Sequence, residues 1–225
     1  MPVLVIRPEP GNTATCRALG EAGLEAIAAP LFRYRPVDWS LPDDLAFTGL
    51  LAGSAAVFAR GGPALAGLRE IPVHAVGAAT ARAAEAAGFA VAACGSGGLQ
   101  TIAATLPPGR YLRLSGEAHV ALSPQAGAHV IDRIVYTVDT LPLPAPIAAR
   151  LAGEPALVLL HSAEAARHWC TECARLNLPR HALSIAALAP RIASAAGPDW
   201  KSIGIAPFPD DDALLSLALQ MCQKV

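Results

Sequence analysis

Residues 158–165 read "VLLHSAEA" and residues 50–56 read "LLAGSAA", in each case an apolar run that ends in a serine followed by alanine. Setting Ser54 over Ser162 gives an offset of 108 residues, close to half of the 225-residue chain. At the same offset "VLVIRPE" (3–9) falls on "YLRLSGE" (111–117), with Leu4 over Leu112 and Glu9 over Glu117. "HAVGAATARAAEAAG" (74–88) and "AALAPRIASAAG" (186–197) align at about 112. In each half a Gly- or Pro-bearing corner then leads to a last helix, at 99–106 and at 213–222. Segments repeated in one order at half the chain length define two similar halves.

The pattern within each half is strand, helix, strand. Apolar runs of about five residues, at 3–6, 49–52, 73–76, 111–114, 156–160, 184–188 and 203–206, read as buried parallel strands. Alanine-rich helices are expected between them, at 13–22, 80–87 and 163–176. Gly23 and Gly88 are their expected stops, because glycine accepts the left-handed conformation there. Alternating strands and helices imply an open sheet covered on both faces. Two stretches break the rhythm, "PLFRYRPVDW" (30–39) and "RIVYTVDTLPLPAP" (133–146). They are extended, proline-bounded and similarly placed in the two halves, so they read as arms that pair as a ribbon.

Composition excludes several classes. At 53% hydrophobic and 16% charged residues the chain has ample material for a core, and no apolar run reaches membrane-spanning length. "MPVLVIRPEP" lacks a basic region before its short apolar run, so it reads as a strand and not a signal peptide. A cytoplasmic monomer is the expected state. A net charge of −1 argues against nucleic acid as a partner. All but two of the 17 basic residues are arginines, which suit bidentate carboxylate binding, although high-GC codon usage also yields that bias. Cys16, Cys94, Cys170, Cys173 and Cys222 are scattered and read as reduced thiols. Cys170 and Cys173 form a CxxC inside a helical run, with no second pair to complete a metal set.

In open α/β sheets, ligands gather at the carboxyl ends of the strands. Here those ends carry small hydroxyls and glycines where helices begin: Ser54, Gly77-Ala78-Ala79-Thr80, Ser115-Gly116-Glu117, Ser162 and 95–98 "GSGG". A helix start offers unpaired N–H groups and a positive dipole end, so it suits an anion, although any one such corner also serves as an ordinary N-cap. Ser162 is no hydrolase nucleophile, since the glycines of G-x-S-x-G are missing and His161 points to the opposite face of its strand. "GSGG" lacks the Lys-Ser/Thr of a phosphate loop, and Arg7-Pro8-Glu9 stands where a dinucleotide fingerprint would begin. Tyr136 lies in the second arm. A phenol is ordinarily protonated at neutral pH and can donate to a leaving oxygen.

Taken in order, "VLVIRPE", "FTGLLAGSAA" (47–56), "HAVGAATARAAEAAGF" (74–89), "LRLSGE" (112–117), "RIVY" (133–136), "VLLHSAEAA" (158–166) and "IAPFPDDDALLSLA" (205–218) resemble the uroporphyrinogen-III synthase family over the whole chain. The resemblance implies an α/β fold of two flavodoxin-like domains with parallel sheets flanked by helices, joined by a two-stranded β-ribbon. One domain would hold 1–35 and 141–225 and the other 36–140, with linker arms near 30–39 and 133–146. It implies a cofactor-free, metal-free lyase that closes hydroxymethylbilane, with loss of water and inversion of ring D. By position Tyr136 is then the candidate acid. Arg7, Ser54, Thr80, Ser162 and the corners at Gly77-Ala78 and Ser115-Gly116 are the candidate substrate anchors. The chain departs from the family pattern at Gly53, where threonine is frequent, and at "APRIA" (189–193), where Arg191 and Ile192 replace threonines. Arg191 joins the anchors as a carboxylate ligand. The alternative, a non-catalytic module binding a tetrapyrrole or another polycarboxylate, stays open at that corner.

Overall fold

The computed structural model describes residues 1–42 and 46–223. In chain order the elements are β1 (Val3–Val5), α1 (Gly11–Glu21), β2 (Ala26–Ala28) and β3 (Phe32–Pro36). There follow β4 (Gly49–Ala52), α2 (Ala56–Arg60), β5 (Val73–Val76), α3 (Ala78–Ala86), β6 (Val91–Gly95), α4 (Leu99–Ala103), β7 (Gly109–Gly116) and β8 (Ala128–Thr140). The last group is α5 (Ala145–Gly153), β9 (Leu157–Leu160), α6 (Ala163–Arg175), β10 (Ser184–Ala187), α7 (Pro190–Ala196), β11 (Ser202–Ile205) and α8 (Asp211–Gln223). The chain divides into two compact units, Met1–Arg33 with Thr140–Val225, and Tyr34–Asp139. Positions 43–45 and 224–225, which fall within the expected domain spans, lie outside the described residues.

The first unit holds a parallel sheet in the order β11-β10-β9-β1-β2. Pleating sends Leu4, Val158, Leu160, Ile185 and Ala187 to one face, where they pack with Trp169 and Cys173 of α6 and Ile192 of α7. Val3, Val5, Leu157, Leu159 and Ala186 face the other way, against Leu19 of α1 and Leu214 and Ala218 of α8. Burying each such side chain contributes about 1.5–3 kcal/mol, enough to fix which face is which. Ser162 starts α6, its Oγ accepting from the amide of Ala165 at 3.0 Å. Gly23, at φ 79°, follows the end of α1 as expected.

The second unit holds β3-β8-β7-β4-β5-β6, with the five strands from β8 to β6 parallel. Leu50, Ala52, Val73, Leu112 and Leu114 pack with Val57 and Ala84 of α2 and α3. Leu51 and Tyr111 face Ile102 and Ala103 of α4. Gly88, at φ 85°, lies just beyond the end of α3. The chain passes from the first unit to the second within β3 and returns at the end of β8.

The two sheet orders are one pattern. Matching β1 to β7, β2 to β8, β9 to β4, β10 to β5 and β11 to β6 turns the first order into the second without its edge strand β3. That matching is the one the repeat makes, Leu4 over Leu112 and Ser162 over Ser54. The halves are related by circular permutation, so strands that come first in one unit come last in the other.

Candidate functional site

In each unit the chain leaves two neighbouring strands in opposite directions at one place, between β4 and β7 in the second and between β1 and β9 in the first. A crevice opens there at the carboxyl ends, the position open sheets use for ligands. In the second unit it is a cavity of about 190 Å³ whose walls include Ser54, Arg113, Ser115, Gly116, His119 and Tyr136. Four residues singled out in the sequence, Ser54, Ser115, Gly116 and Tyr136, therefore meet at one cavity; Arg113 and His119 were not among them.

A bulge aims the tyrosine. Ser115 pairs with Ile134 but Gly116 pairs with Tyr136, so β8 carries one extra residue at that step. The slip puts Tyr136 opposite Gly116, and the missing Cβ of Gly116 gives its ring room. Tyr34 packs edge-on against the same ring, with centroids 5.5 Å apart. Thr137 donates to Glu117 Oε2 at 2.7 Å, and the amide of Glu117 donates to the carbonyl of Tyr136 at 3.0 Å. These bonds tie the end of β8 to the corner after β7. His119 Nδ1 lies 2.8 Å from the carbonyl of Gly116 and 3.0 Å from that of Glu117. Both partners are acceptors, so Nδ1 carries the hydrogen and Nε2 is left for other contacts. Ser54 Oγ accepts from the amide of Ala56 at 3.2 Å.

The next corner carries Gly77, Ala78 and Thr80. Gly77, at φ 77°, adopts the conformation that glycine favours and turns β5 into α3. Its amide donates to the carbonyl of Gly95 at 2.8 Å, and Thr80 is buried in the first turn of the helix.

In the first unit Arg7 and Ser162 stand at the corresponding strand ends, but both have internal partners. Arg7 Nη1 is 2.8 Å from Asp211 Oδ2, and Ser162 caps α6. Arg191 is exposed on the first turn of α7. His161 lines a second cavity, of about 100 Å³, with Thr15 of α1 and Asp211 and Leu214 of α8. Neither ring nitrogen has a hydrogen-bond partner among the described residues. Burial first, and the Arg7 charge second, lower its pKa to about 4, although Asp211 pulls the other way. The imidazole is neutral at neutral pH. It is more than packing on the sheet, since it forms a polar wall of a cavity.

The CxxC pair has no thiolate character. Burial, followed by the neighbouring Cys170, pushes the Cys173 thiol up to about 12, and burial also raises Cys170. Among the described residues no three His, Cys, Asp or Glu side chains cluster as metal ligands.

Parallel sheets flanked by helices, with hydroxyl, guanidinium and phenol groups at their crossover points, define an α/β protein of the open-sheet class that binds small ligands at its strand ends. The chain belongs to the uroporphyrinogen-III synthase family, since the family model for uroporphyrinogen-III synthase HemD matches residues 13–216. This is a family of cyclising lyases in tetrapyrrole biosynthesis. The fold is similar to that of uroporphyrinogen-III synthetase from Helicobacter pylori 26695, with 17% identity, a TM-score of 0.67, and 98% of this chain and 100% of that one covered. It is also similar to a mutant uroporphyrinogen III synthase from the extremely thermophilic bacterium Thermus thermophilus, with 17% identity, a TM-score of 0.54, and 100% of both chains covered. At this identity the likeness is one of fold. No curated protein sequence matches the chain significantly. No helix among the described residues is long and apolar enough to cross a membrane.

Proposed function

We propose that the chain closes hydroxymethylbilane to uroporphyrinogen III, with loss of water and inversion of ring D, and that Tyr136 is its general acid. The observation that carries the assignment of roles is the shared cavity, where the phenol stands beside Ser54, Ser115 and Gly116. Tyr136 donates its proton to the ring A hydroxyl, which leaves as water and gives an azafulvene. The substituted carbon of ring D attacks, and the resulting spiro intermediate fragments and recloses with ring D reversed. The proton released at closure returns the phenol to its starting state. The balance includes no oxidation or reduction, so no electron carrier is needed. A positioned acid supplies about 10²–10⁴-fold, and curling the chain against direct closure supplies the rest.

Eight carboxylates on the substrate call for many anchors. The proposed ones are the Ser54, Thr80, Ser115 and Ser162 hydroxyls, the backbone amides of Ala78 at the Gly77 turn and of Ser115-Gly116, and the guanidinium groups of Arg191 and of Arg7, whose Nη1 is shared with Asp211. The finer fold reading is two flavodoxin-like domains, 1–35 with 141–225 and 36–140, joined by a β-ribbon made from arms near 30–39 and 133–146. The sheet order 2-1-3-4-5 of the first unit, and its permuted twin in the second, support it. The chain is proposed to act as a cytoplasmic monomer. The test is a coupled assay that supplies fresh hydroxymethylbilane and separates the product isomers. Type III above the spontaneous background supports the proposal, and type I alone at the enzyme-free rate refutes it.

A further inference from the structure

Arg113 stands in the middle of β7, two residues before Ser115 on the same face, and is only 5% exposed. A guanidinium so buried is stable when its donors are paired. One side of it is paired: Nη1 donates to the carbonyl of Val120 at 2.7 Å and lies 3.6 Å from Asp132 Oδ1. On the other edge, which Nε shares with Nη2, Nε is fully buried and has no partner among the described residues. Ser115 Oγ, on a residue 7% exposed, is also buried without a partner. Both residues line the 190 Å³ cavity that holds Tyr136, a volume several times the roughly 30 Å³ of one water.

The chain itself shows what completes such an edge. Arg175 presents Nε and Nη2 to Glu172 Oε1 and Oε2 at 2.8 and 2.6 Å. The first unit offers the contrast, because the arginine at its crossover, Arg7, already holds the carboxylate of Asp211. Among the described residues no carboxylate of the second unit reaches Nε of Arg113.

We propose that Arg113 is a substrate-binding residue, its Nε–Nη2 edge taking the two oxygens of one tetrapyrrole carboxylate while Ser115 Oγ donates to the same group. The inference rests on the synthase reading for the identity of its ligand. An acid held there fixes the adjoining pyrrole beside the Tyr136 phenol. The interaction is present before and during reaction, so its loss raises KM more than it lowers kcat.

The test titrates the full-length protein with uroporphyrin III, the stable oxidised form of the product, and measures KM and kcat with hydroxymethylbilane. Arg113→Met should weaken uroporphyrin III binding about 10- to 100-fold, the range for a charged hydrogen-bonded contact, and raise KM in parallel with kcat within about twofold. Ser115→Ala should weaken binding by about 3- to 10-fold. Arg113→Lys keeps a charge beside Asp132 but lacks the flat edge, so it should lose at least about fivefold and decides the matter if the Met variant does not fold. Folded Lys and Ala variants that bind uroporphyrin III and hydroxymethylbilane as the parent does would overturn the proposal. Binding needs no turnover, which separates the two readings. A parent protein that binds uroporphyrin III through Arg113 yet makes no type III isomer refutes the synthase reading and keeps this one.

Discussion

The ring of Tyr136 lies against Gly116 so closely that a Cβ on Gly116 would stand 2.6 Å from its Cε2 and 3.0 Å from its Oη. Side chains do not approach that closely, so an alanine at this position forces the phenol to move. Gly116→Ala is therefore expected to lower kcat by roughly 10²-fold, the penalty for about 1 Å of misplacement, with a small effect on the unfolding midpoint. Steady-state kinetics beside thermal melting checks it. Full activity in the alanine variant would show that the ring position does not matter.

His161 makes stability depend on pH. Its pKa is about 4 in the folded chain against an ordinary 6.5, so between those values the unfolded chain binds more protons. Stability from this group is complete above pH 6.5 and is lost as pH falls toward 4. The loss is at most about 1.4 kcal/mol per pH unit, on the order of 3 kcal/mol across the window. Denaturant titrations at several pH values should show a shallower acid loss in His161→Leu than in the parent. Parallel curves would mean that the imidazole takes up its proton as readily in the fold as in the unfolded chain, with Asp211 at 3.7 Å offsetting its burial.

The thiols should differ in reactivity. Cys94 is exposed, whereas Cys173 is buried with its thiol pushed up to about 12. Brief alkylation of the native protein followed by mass spectrometry should modify Cys94 and spare Cys173 until denaturant is added. Early modification of Cys173 would contradict the packing around α6.

Most strands were legible because buried parallel strands are short apolar runs that stop at glycine or serine. The runs at 49–52 and 73–76 became β4 and β5 without change. β2 and β6 gave no such signal, since Ala26–Ala28 and Val91–Gly95 are largely unburied and small. The sequence pattern carries the second arm through residue 146, but β8 ends at Thr140, ahead of Pro142 and Pro144, which have no amide hydrogen to give a neighbouring strand. The strand-end rule found Ser54, Ser115 and Gly116, and position in the arm found Tyr136. It missed Arg113 because an arginine within a strand ordinarily faces water. The signal was available in "YLRLSG", where alternation puts residue 113 on the inward face of Tyr111 and Ser115. His119 belongs to no motif, and the pairing of Arg7 with Asp211 joins residues 204 positions apart, beyond any local pattern.

The most direct test of the central claim feeds freshly made hydroxymethylbilane to the parent protein and to Tyr136→Phe, and follows both product isomers over time. The account predicts type III from the parent and, from a folded Phe variant, type III formation slower by about 10²–10⁴-fold with type I accumulating instead. Type I alone from the parent, or equal type III rates from the two proteins, would contradict it.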